Sequence, residues 1–301
     1  MKILFCSDGM SQAENAVRFG ALIAAACQAE TSILGISEKT GDQEPLVQAL
    51  RREQDILKEH YLDAELISKA GRPVPEIVKR TQESDYDLVV IGAVGKGPRG
   101  PGWMSARAYK IIESVVPPVL VVIGERSTLR RILLCTSGWP PADKTMEYAG
   151  EIARSVNAVV DLFHVMDEPP VIYDNLSRME EDADRLLASK SKLGRTLRHQ
   201  KELLEGFGVF GGFLLHRGLV VPEILEELQR TDYDLVMVGS SPADDLLRQY
   251  VMGDVTREIV DRADLPVLVM RTETRHLVHR FSALVTRLFR LPRKNPEVAS
   301  S

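Results

Sequence analysis

The amino-acid sequence predicts an α/β protein of two tandem doubly wound domains, each a five-stranded parallel sheet with helices on both faces. Two observations predict this fold class. Blocks of sequence recur in the same order in the two halves of the chain, and within each half short apolar runs alternate with amphipathic segments of helical length. Strands that alternate with helices form parallel sheets that helices cover on both faces.

Four blocks make up the repeat: ILFCSDG (3–9) returns as ILLCTSG (132–138), GRPVPEI (71–77) as GLVVPEI (218–224), SDYDLVVIG (84–92) as TDYDLVMVG (231–239), and PPVLVV (117–122) as LPVLVM (265–270). The offset between the copies grows from 129 to 147 residues, so the second copy carries an insertion of 18 residues within 167–206. We therefore expect domains at 1–125 and 126–272, and a tail at 273–301 that belongs to neither.

The elements of the first copy follow from its apolar runs. These runs predict strands at 2–7, 31–37, 64–68, 88–92 and 119–123, and the segments between them predict helices at 11–29, 44–60, 74–82 and 106–114. Helices of this length between strands imply right-handed crossovers and hence a parallel sheet. In the second copy, the inserted segment predicts one long helix over about 177–205, because leucines recur there at helical spacing.

Composition excludes several classes of protein. The net charge is −5 and the isoelectric point about 5.8, whereas a protein built to bind nucleic acid is usually basic, so no specific nucleic-acid partner is expected. The three cysteines, Cys6, Cys27 and Cys135, are odd in number and not closely spaced, which predicts neither a disulfide framework nor a zinc cluster. The N-terminus lacks the apolar core of a signal peptide, and no apolar stretch is long enough to span a bilayer. We therefore expect a cytoplasmic protein.

Two segments of the first copy should meet at the edge where ligands bind in a doubly wound sheet, namely the carboxyl ends of the strands. One is Cys6–Gly9, after the first strand, and the other is the glycine-rich loop from Gly92 to Ala106. Glycines let backbone N–H groups approach an anion, and the helix that follows favours negative charge at its N-terminus. Asp8 can hydrogen-bond an adenine or a ribose.

Positive side chains strengthen the case for a nucleotide pocket. Lys96, Arg99 and Arg107 lie in or next to the glycine-rich loop and can contact phosphates. A surface loop with no ligand is the alternative interpretation of the same residues.

Together these motifs resemble the universal stress protein family. The resemblance covers both copies, about 270 residues. It rests on the ILFCSDG block with its second copy, a strand ending in DLVVIG, a glycine loop and a final PVLVV strand. It implies a five-stranded, adenine nucleotide alpha hydrolase-like domain in each copy. In one subgroup it also implies ATP binding, through an aspartate after the first strand and a loop written G-x₂-G-x₉-G-[ST]. Other members lack that loop.

The resemblance assigns residues of the first copy to a nucleotide site. Asp8 matches the aspartate, Gly92 and Gly95 match the first two glycines, and Ser105-Ala106 stands where the family has Gly-[ST]. The implied nucleotide-binding residues are Ser7, Asp8, Ile36, Gly92, Gly95, Lys96, Arg99, Ser105, Ala106 and Arg107. The implied ligand is ATP or another adenine nucleotide, with or without Mg²⁺.

The second copy departs further from the ATP-binding pattern. Ser137 replaces the aspartate, Pro242 replaces the second glycine and removes an N–H donor, and Asp254 would repel a phosphate. We expect this domain to be degenerate and structural. The family also implies that the final strands, 119–123 and 266–270, pair antiparallel, so that the copies pack as a pseudo-dimer and the chain can form a homodimer.

No catalytic constellation stands out in the sequence. The six histidines are scattered, His164 lies in an apolar run and is expected to be buried, and no metal-ligand spacing appears. We therefore expect a stress-response regulatory protein that binds an adenine nucleotide in domain 1 and acts on a protein partner, with weak ATP hydrolysis left open. The alternative is a nucleotide-free interaction scaffold that acts through its dimer surface and its C-terminal helix.

The tail predicts a basic amphipathic helix. The net charge of 273–301 is about +4. Five large apolar side chains share one face of the predicted helix: Leu277, Phe281, Leu284, Leu288 and Leu291. One interpretation is a helix docked on its own fold or across a dimer. The other is peripheral contact of 275–291 with an anionic membrane.

Overall fold

The computed structural model describes residues 1–38, 44–93, 106–139, 143–166, 179–240 and 255–271. In the first half the elements are β1 (Lys2–Ser7), α1 (Ser11–Ala26), β2 (Glu30–Ser37), α2 (Glu44–Glu59), β3 (Ala64–Ala70), α3 (Pro73–Glu83), β4 (Leu88–Gly92), α4 (Ala106–Ser114) and β5 (Val119–Val122). Each strand and helix predicted for the first copy is present, with boundaries that differ by at most three residues.

The second half repeats this order with one extra helix. Its elements are β6 (Arg131–Cys135), α5 (Asp143–Val156), β7 (Val159–Met166), α6 (Met179–Ala188), α7 (Lys192–Phe207), β8 (Phe210–Arg217), α8 (Val220–Arg230), β9 (Leu235–Ser240) and β10 (Val267–Arg271), and residues 255–262 are also helical.

The single helix predicted over 177–205 is wrong. The structure has two helices there, α6 and α7, separated by a turn at residues 189–191. Ser191 ends the break as the N-cap of α7, because its side-chain oxygen accepts a hydrogen bond from the backbone N–H of Gly194. The leucine spacing continues across the turn because both helices pack against β8.

One sheet contains all ten strands of the described residues, in the order β3-β2-β1-β4-β5-β10-β9-β6-β7-β8. Within each half the strands are parallel and doubly wound, and the order reverses between the first and fourth strands of that half. The α/β fold class of two tandem five-stranded units is confirmed.

The two halves meet through their last strands. β5 and β10 run antiparallel, with Leu120 opposite Leu268 and Val121 opposite Val267. The pairing expected between the final strands is therefore present. Because each strand would otherwise form the exposed edge of its own half, the pairing removes an unpaired edge from each half.

Buried side chains form one apolar layer on each face of the joined sheet, and each layer includes residues of both halves. Tyr148 of α5 also ties the halves together, since its hydroxyl donates to the carbonyl oxygen of Asp87 at 3.1 Å. Within the described ranges, no helix has the length and apolar character needed to cross a membrane. The predicted C-terminal helix at 273–301 lies outside the described residues.

Candidate nucleotide site

A cavity of about 110 Å³ opens at the carboxyl ends of β1 and β4, where the strand order of the first half reverses. Five of the predicted site residues line it together: Ser7, Asp8, Ile36, Gly92 and Arg107. They come from the ends of β1, β2 and β4 and from the first turn of α4. Parallel strands bring their carboxyl ends to one edge of the sheet, which explains why residues 85 positions apart in sequence are neighbours here.

The other predicted residues contribute less to the described site. Gly95, Lys96, Arg99 and Ser105 lie outside the described residues. Ala106 is the first residue of α4. The cavity is smaller than pockets that enclose a whole ligand, which span about 300–1,000 Å³. Its described walls therefore have room for only part of a nucleotide.

The turn after β1 fixes the position of Asp8. Gly9 has a φ of +78°, a left-handed conformation that glycine adopts without strain. The N–H of Met10 donates to Asp8 Oδ1 at 3.0 Å, and the N–H of Gly9 donates to Ser7 Oγ at 3.0 Å. Asp8 is exposed at the mouth of the cavity, so its second carboxylate oxygen is placed to accept a hydrogen bond from a ligand.

Beneath this turn lies a buried carboxyl that sequence reasoning missed. The Ser7 hydroxyl donates to Glu53 Oε1 at 2.6 Å, and Glu53 Oε2 has no hydrogen-bond partner among the described residues. Glu53 is only 2% exposed. Burial therefore raises its pKa from 4.5 to about 7. The signal was present in the sequence, since Glu53 occupies a position on the apolar stripe of α2, between Leu50 and Ile56.

Gly92 has a packing role in addition to its place in the cavity wall. A Cβ at this position would lie 2.3 Å from the carbonyl oxygen of Gln12 in α1. Any side chain would therefore collide with backbone, which cannot move aside as a flexible side chain can. Glycine is needed here for the close approach of β4 to α1, whether or not a ligand binds.

Arg107 is engaged at the mouth of the cavity. Its guanidinium donates to Glu38 Oε2 at 2.9 Å, and both side chains are largely exposed. Exposed ion pairs of this kind contribute little to stability, about 0–1 kcal/mol. A phosphate could therefore compete with Glu38 for Arg107 at small cost.

Apolar residues that sequence reasoning missed complete the cavity. Pro73 and Ile77 of α3 and Ile111 of α4 line it opposite Ile36. Pro73 and Ile77 belong to the block GRPVPEI, whose recurrence as GLVVPEI was the available signal. The arrangement presents an apolar slot beside a carboxylate and an arginine, which suits a flat heterocycle joined to a sugar and an anion.

The second half repeats the turn with different chemistry. Thr136 takes the place of Ser7 and donates to Gln200 Oε1 at 2.9 Å, and the N–H of Gly138 donates to Thr136 Oγ1 at 3.1 Å. Ser137 stands where Asp8 stands in the first half. Pro242 and Asp254 lie outside the described residues.

Three reactive side chains in the described parts, those of Cys6, Cys135 and His164, are affected by burial. Burial raises the thiol pKa of Cys6 and of Cys135 well above the usual range. His164 is buried, as its apolar run predicts, and burial lowers its pKa. No group of three His, Cys, Asp or Glu side chains in these ranges could hold a metal ion.

Comparisons with known proteins agree with the fold. The model of the universal stress protein family matches residues 1–122 and 128–271. The chain is similar to a universal stress protein from Archaeoglobus fulgidus, with 16% sequence identity, a TM-score of 0.65, and coverage of 90% of this chain and 98% of that chain. No match is found among curated protein sequences.

A protein of unknown function from Pseudomonas aeruginosa also shares the fold. It is 17% identical, with a TM-score of 0.61 and coverage of 90% of this chain and 92% of that chain. At these identities the structures establish the likeness of the fold, whereas the family model establishes the kinship. Because that model matches most of the chain in two consecutive segments, the chain belongs to the universal stress protein family.

Proposed function

We propose that the first half binds an adenine nucleotide, and that the protein acts as a stress-response regulator whose bound nucleotide alters a surface recognised by a protein partner. The observation that carries the proposal is the cavity at the switch point of the first half, where Asp8, Ile36 and Arg107 converge. In doubly wound sheets this is the place where ligands bind. The domains proposed are 1–125 and 126–272.

Each wall of the cavity suits a different part of the nucleotide. Ile36, Ile77 and Ile111 offer apolar contacts to the flat adenine ring. The free oxygen of Asp8 accepts from the adenine amino group or a ribose hydroxyl. Arg107 meets a phosphate once it leaves Glu38.

The phosphates would extend toward the glycine-rich loop, where Gly95, Lys96, Arg99 and Ser105 stand in sequence. Backbone N–H groups at Gly95 and at Ala106, the start of α4, would bind phosphate oxygens. A Mg²⁺ ion, where present, would be held by the phosphates. The second half lacks a carboxylate at Ser137, so we propose that it serves structure and does not bind ATP.

A regulatory role suits these residues better than catalysis does. Among the described residues that line the cavity, none is a histidine or a lysine, and the thiol of Cys6 is held protonated by burial. Glu53 contacts Ser7 beneath the turn and does not line the cavity. The one acidic residue among the described lining residues, Asp8, is assigned here to the adenine or the ribose, which leaves no second described group in the lining to activate a water against a phosphate.

The test is a calorimetric titration with ATP and with AMP. Asp8→Ala should abolish binding, and Gly95→Asp should abolish ATP binding more strongly than AMP binding, because it adds negative charge near the outer phosphates. Ser137→Ala, the matched change at the equivalent position of the second half, should leave binding unchanged. Binding that survives Asp8→Ala but is lost in Ser137→Ala would refute the assignment to the first half.

The second candidate function is a nucleotide-free scaffold that acts through a homodimer surface and the tail, including membrane contact through 275–291. The ion pair of Arg107, a cavity-lining residue, with Glu38 favours it, as does Ser105-Ala106 in place of Gly-[ST]. Absence of heat with either nucleotide, and absence of nucleotide released on denaturing the purified protein, would favour this function.

A further inference from the structure

The second half contains a larger cavity, of about 330 Å³, at the carboxyl ends of β6 and β7 beside the first residues of α7. Its volume falls within the range typical of pockets that enclose a small organic ligand, about 300–1,000 Å³. His164 lies on the sheet face covered by α5 and α7, the face to which Leu162 also points. Ser137 and Val165 of this cavity stand where the first half has Asp8 and Ile36, but the cavity extends beside α7 to His164, whereas the candidate nucleotide cavity extends between α3 and α4.

Three residues give this cavity a chemistry that the first half lacks. By the offsets of the repeat, His164 stands where the first half has Gly35, Trp139 where it has Met10, and Lys192 where it has Pro45. In the first half, the space beside Gly35 is filled by Leu50, whose Cδ1 would lie 2.5 Å from a Cβ at Gly35. The second half therefore places an imidazole, an indole and an ammonium group around a cavity.

The imidazole of His164 presents a hydrogen-bond acceptor. Its Nδ1 lies 2.8 Å from the carbonyl oxygen of Thr136, which can only accept, so Nδ1 carries the proton and donates. The other nitrogen, Nε2, then bears a lone pair and has no partner among the described residues. The side chain lines the cavity although the residue is only 6% exposed, and burial keeps its pKa below the usual range and the ring neutral at neutral pH.

The part of the cavity formed by α7 is cationic. Lys192 Nζ lies 5.1 Å from the centroid of the Trp139 ring, and Trp139 is half exposed. Lys192 and Leu193 are also the first residues of α7. Ser191 caps the N–H of Gly194 at 2.9 Å, whereas in the described part of the chain the N–H of Leu193 has no partner. An ammonium group and a free N–H at a helix N-terminus both favour an anion.

We propose that this cavity binds a small aromatic acid that carries a hydroxyl or amino group on its ring. The ring stacks on Trp139 and packs against Leu193 and Val165. The carboxylate meets Lys192 and the N–H of Leu193. The ring hydroxyl or amino group donates to Nε2 of His164. An acid without a ring loses the stacking contact, and a neutral ring loses the ionic contact.

The fluorescence of Trp139 provides a direct test. The chain has two tryptophans, Trp103 and Trp139, so Trp103→Phe leaves Trp139 as the reporter. Titration with 4-hydroxybenzoate and its 3-hydroxy isomer should quench this fluorescence in a saturable way, with free tryptophan correcting for absorption by the ligand. Benzoate and 4-hydroxybenzyl alcohol should each bind at least about tenfold more weakly than the better hydroxy acid, since each lacks one polar contact.

Variants separate the proposed contacts. Lys192→Met should weaken binding of the hydroxy acid by about tenfold or more. The matched control is Lys201→Met, because Lys201 lies on the same helix over the ring of Phe210, at 5.5 Å, away from the cavity. It should leave binding unchanged. His164→Leu should lower the affinity for the hydroxy acid to that for benzoate, and should leave the affinity for benzoate unchanged. If that variant does not fold, Lys192→Met compared with Lys201→Met still tests the proposal.

Three results would overturn the proposal: no saturable quenching by any aromatic acid, equal binding of the hydroxy acid and the neutral alcohol, or equal loss in Lys192→Met and Lys201→Met. The outcome is separate from that of the nucleotide proposal. Asp8→Ala should leave aromatic-acid binding unchanged, and the aromatic acid should not compete with ATP.

Discussion

At the scale of single residues, the two halves form the same buried contact with different chemistry. Ser7 donates to the carboxyl of Glu53, and Thr136 donates to the amide of Gln200. Glu53 and Gln200 are 2% and 1% exposed, and each has one polar atom with no partner in the described part of the chain. The amide of Gln200 occupies this environment without burying a charge, and the same environment raises the pKa of Glu53.

Glu53→Gln should therefore make stability less dependent on pH. A carboxyl whose pKa is higher in the folded chain stabilises the fold below its unfolded pKa, and the contribution is lost as pH rises through the folded pKa. With a shift from 4.5 to about 7, the wild type loses about 3 kcal/mol from this group between about pH 4 and pH 8. Urea unfolding at several pH values should show a smaller loss in Glu53→Gln, and equal pH slopes would contradict this explanation.

Gly92 and Gly239 are equivalent by the repeat but differ in their surroundings. A Cβ at Gly92 meets the backbone of Gln12 at 2.3 Å, whereas a Cβ at Gly239 meets no described atom within 4 Å. Gly92→Ala should thus destabilise the protein by about 2–3 kcal/mol through overpacking, and Gly239→Ala by less than about 1 kcal/mol. Chemical denaturation of the pair measures the difference. Similar losses in both would contradict the close approach of β4 to α1.

The residues at the end of β1 were predictable because a turn after a buried strand, at the switch point, is the ordinary place for a site. Ser7 and Asp8 follow from that argument, and they line the cavity. Glu53 does not follow from that argument: its place on the apolar stripe of α2 predicts burial, but nothing in the sequence names the residue that it contacts. Its role depends on a contact between residues 46 positions apart, which only the fold brings together.

At the scale of helices and strands, the turn between α6 and α7 was the main error of the sequence prediction. Apolar spacing reports which face of a helix is buried, and two helices on the same surface can keep that spacing across a short turn. The strands were easier to predict, because parallel strands covered on both faces are nearly continuous apolar runs, as in Leu88–Gly92.

Gly194 and Gly206 lie on the same helix and test this turn. A Cβ at Gly194 would lie 2.3 Å from the carbonyl oxygen of Leu186, across the turn, whereas a Cβ at Gly206 would meet no described atom within 4 Å. Gly194→Ala should force α6 and α7 apart and destabilise by about 2 kcal/mol. Gly206→Ala should stabilise by up to about 1 kcal/mol, because alanine favours the helix. Thermal unfolding of both variants measures the signs, and stabilisation by Gly194→Ala would contradict the tight turn.

At the scale of the whole molecule, the antiparallel pairing of β5 with β10 makes one sheet from two repeats. Leu120 and Leu268 are fully buried at this junction, and the apolar layers on both faces run across it. The pairing was expected from the family resemblance and not from the residues alone, since nothing in the composition of an apolar edge strand specifies its partner.

The shared sheet implies that both halves unfold together. Trp103 belongs to the first copy and Trp139 to the second, so Trp139→Phe and Trp103→Phe leave one reporter in each half. Their urea transitions should coincide in midpoint and slope, as in a two-state protein. Leu268→Ala should move both midpoints by the same amount. Separate transitions, or a shift confined to the second half, would show that the junction does not couple the halves.

Calorimetric titration of the full-length protein with ATP gives the number of adenine nucleotides bound per chain, which distinguishes one site in the first half from a site in each half. If only the first half binds, one nucleotide is expected per chain. Asp8→Ala should then bind no nucleotide, and Ser137→Ala should still bind one. Two nucleotides per chain, or one that still binds in Asp8→Ala, would contradict a single nucleotide site in the first half.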